Sequence, residues 1–267
     1  MSIFDILRVR TAEGYQAIRD PRRQAVDPKF RGIPRLDQAA CSLSESCSGV
    51  HECARVCPAA AIGFEPLSID LGRCVLCGDC ATACPVEAIR FSGEHRMASS
   101  TREGLIVKSG ESVEDWPARL EPAGREILTI LGRSLKLRSV SAGGCNGCEL
   151  ELNAAHNVNF DIARYGIEVV ASPRHADALV LTGPVTRNMA PALRDVWAMM
   201  PGPKLLIAAG ACAISGGVFA GSPELDRSFL EEHTPDLYLP GCPVHPLTIV
   251  NGILGLLGRT KAGILSL

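Results

Sequence analysis

Beyond residue 125, the hydrophobic and polar positions follow two alternating patterns. Short, largely apolar runs have the length of buried strands, and longer stretches with apolar residues three or four apart have helical spacing. Strands that alternate with helices are typical of an α/β fold with a mostly parallel sheet. The pattern predicts a short helix in REILTILGRSL, strands at 136–140, 167–171, 178–181, 204–208 and 237–239, and helices at 148–156, 190–200 and 245–257.

The first hundred residues instead contain a repeat with an interval of 27 residues. Cysteines, the proline that follows them and an apolar tail coincide when the chain is shifted by this interval: Cys47, Cys53, Cys57, Pro58 and residues 61–64 fall on Cys74, Cys80, Cys84, Pro85 and residues 88–91. Two short copies that each end in a strand-like tail are typical of a pseudo-symmetric ferredoxin sandwich. Because neither copy is long enough to bury a core, we expect bound clusters to help hold this fold.

The most unusual feature of the composition is the number of cysteines. The 267 residues include 12 cysteines, as many as all Phe, Tyr and Trp residues together. Disulfides on this scale need an oxidising compartment and usually a secretion signal, but the N-terminus has no continuous apolar segment of that kind. No run of 18 apolar residues suggests a membrane-spanning helix. A net charge of -2 gives no basic field for nucleic acid. We therefore expect an intracellular protein whose cysteines bind metal.

The spacing of four cysteines indicates which metal group is bound. Cys74, Cys77, Cys80 and Cys84 form C-x2-C-x2-C-x3-C followed by proline. In bacterial two-cluster ferredoxins, three cysteines of this run bind one [4Fe–4S] cluster and the fourth binds the other, whereas zinc ribbons use separated pairs. The predicted ligands of this cluster, named cluster 2, are Cys57, Cys74, Cys77 and Cys80.

The first copy of the repeat lacks its second cysteine, because Val50 stands at the position equivalent to Cys77. Cys41, six residues before Cys47, is the candidate replacement. The alternative is a [3Fe–4S] cluster with Cys41 unbound. His51 and Glu52, in the widened loop, are expected to face solvent. The predicted ligands of this cluster, named cluster 1, are Cys41, Cys47, Cys53 and Cys84.

The remaining four cysteines follow three predicted strands of the second half. They are Cys145, Cys148, Cys212 and Cys242. In parallel sheets, ligands lie beyond the carboxyl ends of the strands, and the glycines beside these cysteines allow a close approach to a bulky cofactor. This arrangement predicts a third cluster, with a zinc site as the alternative. Neither a GxGxxG motif nor a P-loop supports nucleotide binding.

Four sequence blocks carry a family resemblance: GGCNGCELEL, SPRHADALVLTGPVT, GACAISGGVF and PGCPVHP. Through them, residues 125–258 resemble the small, cluster-bearing subunit of group 4 [NiFe]-hydrogenases, especially that of formate hydrogenlyase, which is related to the B-type subunit of complex I. Residues 24–95, including AVDPKFRGIP, resemble the two-cluster ferredoxin subunit of the same complexes. The chain looks like a fusion of these two subunits.

The resemblance implies an α+β two-[4Fe–4S] ferredoxin domain followed by an α/β flavodoxin-like domain of the complex I B-subunit type, with a mostly parallel sheet.

An N-terminal arm with a local charge of +4 is expected to lie on a partner subunit or a membrane surface and to be poorly ordered alone. His95 is expected at the surface. The expected divisions are an arm at 1–35, the ferredoxin domain at 36–95, a linker at 96–124 and the hydrogenase small-subunit-like domain at 125–267.

By resemblance, the third cluster is the proximal cluster, which faces the active site of a partner large subunit. The chain would then be an electron-transfer subunit of a hydrogenase-like oxidoreductase, not catalytic alone, that passes electrons through three [4Fe–4S] clusters. Complex I proteins have adjacent cysteines where Asn146 and Gly147 separate Cys145 from Cys148, which favours the hydrogenase branch. Glu151 is a candidate proton relay. The alternative for Glu149 and Glu151 is a polar role at the subunit interface or helix start.

The resemblance further implies a nickel–iron large subunit, other subunits of a membrane complex, and a ferredoxin or formate dehydrogenase-type partner. The expected location is cytoplasmic, peripheral on the cytoplasmic face of the inner membrane through partner subunits. One alternative is the B-type subunit of a complex I-like quinone or ferredoxin oxidoreductase without nickel. A second is a free-standing ferredoxin-like electron carrier.

Overall fold

The computed structural model describes residues 2–42, 47, 51–131 and 134–259. Val50 and most of the widened first motif therefore lie outside the described residues. The first part of the chain contains the following elements: α1 (Ile3–Glu13), β1 (Pro34–Leu36), α2 (Gln38–Ser42), α3 (Glu52–Arg55), β2 (Ile62–Phe64), β3 (Leu67–Asp70), α4 (Asp79–Thr82), β4 (Ile89–Phe91) and β5 (Ile106–Lys108).

The ferredoxin unit preserves the 27-residue repeat in three dimensions. Strand β1 pairs antiparallel with β4, and β3 lies between β2 and β5 in a second antiparallel sheet. Helices α3 and α4 begin at equivalent positions, after His51 in one copy and Gly78 in the other, and both of these residues have a left-handed backbone. The predicted pseudo-symmetric α+β sandwich is confirmed.

The second part of the chain is an α/β unit with the predicted strands and helices, together with two short helices, α8 and α9, that the pattern did not predict. Its elements are α5 (Arg125–Leu131), β6 (Leu135–Ser141), α6 (Gly147–Ala154), β7 (Ile167–Val169), β8 (Ala178–Thr182), α7 (Ala190–Met199), β9 (Leu205–Ala209), α8 (Ala211–Ser215), α9 (Ser228–Glu232), β10 (Leu237–Leu239) and α10 (Pro246–Leu256).

The five strands of this unit form an all-parallel sheet in the order β10-β9-β8-β6-β7. Every residue of β8 and β9 is buried, because helices and loops cover both faces of the sheet. On one face, α10 packs with its whole length buried. The opposite face packs against a second group of buried residues, which includes Leu193 of α7.

That second group continues into the ferredoxin unit. Ile33, Leu71 and Leu105 belong to the same buried cluster as Leu179 and Leu206 of the parallel sheet. The two units therefore share a core.

The segment expected as a linker, residues 96–124, takes part in both units. Strand β5 completes the three-stranded ferredoxin sheet, and a 3-10 helix, Val113–Arg119, buries Trp116 in the shared core. Ser99 pairs with Tyr238 of the parallel sheet.

The two halves of the N-terminal arm differ in how far their residues are buried. Helix α1 buries none of its residues, whereas Ile33 is fully buried. The carbonyl of Pro21 lies 3.0 Å from Nε2 of His95 and accepts a 2.9 Å hydrogen bond from Asn251. The expectation of a surface position for His95 is wrong, because residues of the arm cover it and leave it 4% exposed.

Candidate metal centres

The cysteines predicted for cluster 1 surround one cavity. Cys41, Cys47, Cys53 and Cys84 line it together with His51, Glu52 and apolar residues. Cys84 comes from the second copy of the repeat, so the crossed pattern expected from the ferredoxin motif is present. His51 is partly buried beside this cavity, and its ring stacks on Phe64, with the ring centroids 3.7 Å apart. Glu52 also lines the cavity, but its carboxylate accepts hydrogen bonds from Arg55.

The cysteines predicted for cluster 2 surround a second cavity. Its walls contain Cys57, Cys74, Cys77 and Cys80, with Ile62, Ile69 and Phe91 among the apolar residues. Cys57 comes from the first copy of the repeat and completes the exchange between the copies. The structure thus separates the first eight cysteines into the two sets of four that the spacing predicts.

Backbone amides donate hydrogen bonds to sulfur in both cavities. The amide of Ala61 lies 3.3 Å from Cys57 Sγ, and the equivalent amide of Ala88 lies 3.3 Å from Cys84 Sγ. The amide of Leu76 lies 3.4 Å from Cys74 Sγ. Hydrogen bonds to cluster sulfurs stabilise negative charge and are among the factors that set reduction potential.

The pKa values of the thiols in these cavities indicate that ionised cysteines there need a bound cation. Burial raises the pKa of Cys74 to about 12 and that of Cys80 to about 11, and the neighbouring thiolates add to the increase. Burial and the charges of Cys47 and Cys84 also raise the pKa of Cys41. Four thiolates can be ionised together in such a place only when a bound cation compensates them. The donor sets therefore fit iron–sulfur clusters.

The other four cysteines converge at the carboxyl edge of the parallel sheet, as the strand order predicts. Cys145 and Cys148 follow β6, Cys212 lies in α8 after β9, and Cys242 follows β10. Their thiols are close enough for their charges to interact across all three loops. Cys145 and Cys242 are exposed, whereas Cys148 and Cys212 are partly buried.

Glycines leave room around these thiols. A Cβ on Gly210 would lie 2.5 Å from Cys148 Sγ, and one on Gly217 would lie 3.2 Å from Cys212 Sγ. Both glycines have positive φ angles, +91° and +56°, which side-chain-bearing residues rarely adopt. The loops thus form a cradle that a side chain would fill. Burial raises the pKa of Cys148 to about 12, so its thiolate also requires a compensating cation.

Two carboxylates follow the first pair of these cysteines. Glu149 accepts a 2.6 Å hydrogen bond from the hydroxyl of Thr182 at the end of β8. Burial acts to raise the pKa of Glu149, but hydrogen bonds from Ser141 and Thr182 outweigh it and lower the pKa below its usual range. Burial raises the pKa of Glu151. Glu149 is therefore an anchored carboxylate, and Glu151 is the one that takes up a proton more readily.

Sequence reasoning identified the thiols but missed the groups that support them. Gly210 and the amide of Val244, which donates to Cys148 Sγ, come from different loops than the thiol they contact. The signal for Gly210 was a glycine two residues before Cys212, but nothing local pointed to Cys148. Within the described ranges, no three Cys, His, Asp or Glu side chains are placed to hold a single metal ion.

Comparison with known protein families matches both units. Residues 145–256 match the family described as NADH ubiquinone oxidoreductase, 20 Kd subunit, and residues 67–90 match the 4Fe-4S binding domain. The resemblance found in the sequence and the predicted order of the two domains are confirmed.

Curated relatives match between 41% and 65% of the chain. The probable membrane-bound hydrogenase subunit mbhJ of Pyrococcus furiosus is 39% identical over 136 residues, which are 51% of this chain and 81% of the relative. Formate hydrogenlyase subunit 7 of Escherichia coli is 44% identical over 133 residues, 49% of this chain and 52% of the relative. NADH-quinone oxidoreductase subunit 6 of Thermus thermophilus is 39% identical over 177 residues, which are 65% of this chain and 87% of the relative.

Proposed function

We propose a function from one premise: the chain belongs to the family of the NADH ubiquinone oxidoreductase 20 Kd subunit. It is an iron–sulfur electron-transfer subunit of an oxidoreductase complex, and it binds [4Fe–4S] clusters. We propose that it carries electrons through three such clusters to or from a nickel–iron site in a partner large subunit. The observation that carries this proposal is the gathering of twelve cysteines into three groups of four.

The proposed ligands follow these groups. Each cluster would supply one-electron redox chemistry, while the protein sets its position and potential. In cluster 1, Cys41 lines the same cavity as its three partners, which favours a [4Fe–4S] over a [3Fe–4S] cluster. The ligand sets are Cys41, Cys47, Cys53 and Cys84 for cluster 1, Cys57, Cys74, Cys77 and Cys80 for cluster 2, and Cys145, Cys148, Cys212 and Cys242 for the proximal cluster.

The contacts between the units suggest the order of the clusters. Gly72, two residues before Cys74, lies against Ile214, two residues after Cys212: a Cβ on Gly72 would be 2.8 Å from the Ile214 side chain. Cys74 also packs against the shared core that includes Ile214. Cluster 2 would therefore lie next to the proximal cluster, and cluster 1 would be the distal end of the path.

The surface around the proximal cluster supports a partner subunit there. Cys145 and Cys242 are exposed, and Leu150, Val218 and Phe219 in the adjoining elements are each at least half exposed. Exposed apolar side chains beside a redox centre are typical of a face that another protein covers. Glu151, whose pKa burial raises, is the proposed proton relay on this side.

We place the complex at a membrane, as the printed name of the hydrogenase relative indicates for that protein. The described residues include no helix that is long and apolar enough to cross a bilayer. We propose that attachment passes through partner subunits on the cytoplasmic face. Helix α1 exposes Ile3, Phe4 and Leu7 and is the proposed contact of the arm with such a partner. We propose 1–35, 36–95, 96–124 and 125–267 as divisions of the chain, of which the third completes the ferredoxin sheet through β5.

Metal analysis of the purified native complex tests this function. We expect about twelve irons and twelve sulfides per copy of this chain, after subtraction of clusters in other subunits, together with nickel in the large subunit. About eleven irons would indicate a [3Fe–4S] cluster 1, and about eight would contradict the third cluster. Hydrogen-dependent reduction of a viologen dye is the matching activity.

A complex without nickel and without hydrogenase activity would support the alternative, a B-type subunit of a complex I-like quinone or ferredoxin oxidoreductase. The similarity to the Thermus thermophilus NADH-quinone oxidoreductase chain favours that alternative. A ferredoxin or a formate dehydrogenase-type protein is the proposed electron donor or acceptor. Formate-dependent reduction of the clusters in the native complex would identify the latter.

A further inference from the structure

Arg227 lies beside the proximal cysteines, outside every motif that the sequence singled out. It precedes α9, and its guanidinium reaches back to the loop that follows β8 and to helix α8, which follows β9. One nitrogen donates hydrogen bonds to the carbonyls of Pro184 and Cys212, each at 3.2 Å. The other donates to the carbonyls of Ala213 at 2.8 Å and Ile214 at 3.0 Å. The guanidinium thus holds the Cys212 segment against the end of β8.

These four acceptors are neutral, so the charge of Arg227 is not balanced by hydrogen-bonded partners. None of the ion pairs found among the described residues includes Arg227. The charged groups that act on it most strongly are Cys212, which attracts it, Arg102, which repels it, and more weakly Glu231. A guanidinium keeps its proton in proteins, so a permanent positive charge lies next to a proposed cluster ligand.

We propose that Arg227 is a positioning and charge-compensating residue for the proximal cluster, which holds the Cys212 loop in place and raises the reduction potential of the cluster. This inference rests on the proposed third cluster. Reduction adds one negative charge to the cluster. A nearby positive charge in a partly buried place stabilises the reduced form more than the oxidised form. The electron would therefore be held more strongly at the proximal cluster than in the absence of this charge.

A redox titration of the native complex, followed by electron paramagnetic resonance, tests the proposal. The signal that disappears in a Cys148→Ala variant identifies the proximal cluster. Arg227→Gln removes the charge but keeps hydrogen-bond donors. We expect its proximal cluster to be at least about tenfold less reduced at the wild-type midpoint potential, which is a shift of about 59 mV to lower potential. Arg227→Lys keeps the charge and should change the ratio of reduced to oxidised proximal cluster by less than about threefold.

Arg187→Gln is the matched control, because it removes an exposed positive charge from the same side of the α/β unit. Solvent and salt screen such a charge, so its effect should be less than about twofold. An unchanged potential in Arg227→Gln, or equal shifts in the Gln and Lys variants, would overturn the role of the charge. So would the loss of the proximal cluster from both variants while the other clusters remain. If the wild-type complex lacks a third cluster, the proposed function itself is wrong.

Discussion

The two cysteine-bearing regions bury their interiors in different ways. In the ferredoxin unit, the local group of buried residues consists of Cys53, Ile69, Cys80 and Ile89, so half of it is cysteine. In the α/β unit, extensive apolar groups cover both faces of the sheet, and the four cysteines lie beyond the carboxyl ends of its strands, in loops and at the starts of α6 and α8. The proposed cofactor sites thus lie within the small core of one region and outside the large core of the other, at the edge of its sheet. We infer that the ferredoxin fold depends on iron and the parallel sheet does not.

The largest expected effect is that of iron removal. Without iron, the buried thiols of the ferredoxin unit leave two cavities without contents, and the segments around them have too little apolar core of their own to remain folded. We expect fast amide hydrogen exchange at α3 and α4 and continued protection of β8 and β9, measured by mass spectrometry before and after chelation. If β8 and β9 lost their amide protection at the same iron concentration as α3 and α4, the parallel sheet would also depend on iron, which would contradict our inference.

Gly210→Ala should remove the proximal cluster alone. The new Cβ would meet Cys148 Sγ at 2.5 Å, and the backbone φ of +91° adds strain. We expect the loss of about four irons per chain, with the ferredoxin signals retained. Gly110→Ala is the control, since Gly110 has φ +86° but nothing within 4 Å of the added Cβ. Equal iron loss in both variants would show that backbone strain, not the cradle, is responsible.

Core truncations should separate the two regions by their dependence on iron. Ile207 in β9 and Ile69 in β3 are both almost fully buried. Each change to Ala should lower the free energy of unfolding of the iron-loaded protein by about 2–5 kcal/mol. After iron removal, Ile207→Ala should still lower the free energy of unfolding by about 2–5 kcal/mol, whereas Ile69→Ala should not change it further. Urea denaturation followed by circular dichroism measures both, and a persistent effect of Ile69→Ala would contradict the inference.

The smallest expected effects concern two ion pairs that hold residues 96–124 to the ferredoxin unit. Arg102 donates two hydrogen bonds to Asp70, at 2.8 and 2.5 Å, and both side chains are at most 30% exposed. Arg35 and Glu114 are paired at 2.8 Å but are 59% and 68% exposed. Arg102→Met should lower the free energy of unfolding by about 1–2 kcal/mol, and Arg35→Met by less than about 0.5 kcal/mol. Equal values in urea denaturation would mean that burial does not distinguish the pairs.

Much of the fold was accessible from the sequence because its signals are local. The hydrophobic period predicted all five strands of the parallel sheet, and the observed bounds differ by no more than two residues. The 27-residue repeat predicted the equivalence of α3 and α4. The run from Cys74 to Pro85 predicted the exchange of Cys57 and Cys84 between the two copies, because the spacing of ligands around a cluster is itself a local property of the chain.

The tertiary structure alone decided how distant segments meet. Trp116 and Ile33 enter a core shared by the two units, Gly210 makes room for Cys148, and Arg227 binds the loop of Cys212. It also showed His95 buried beneath the arm and the partly buried ring of His51 stacked on Phe64. These contacts join residues that are far apart in the chain, and the periodicity of a segment records only which of its faces is apolar, not which segment will cover that face. The sequence by itself determined the local elements and predicted the candidate ligands; the packing determined their surroundings.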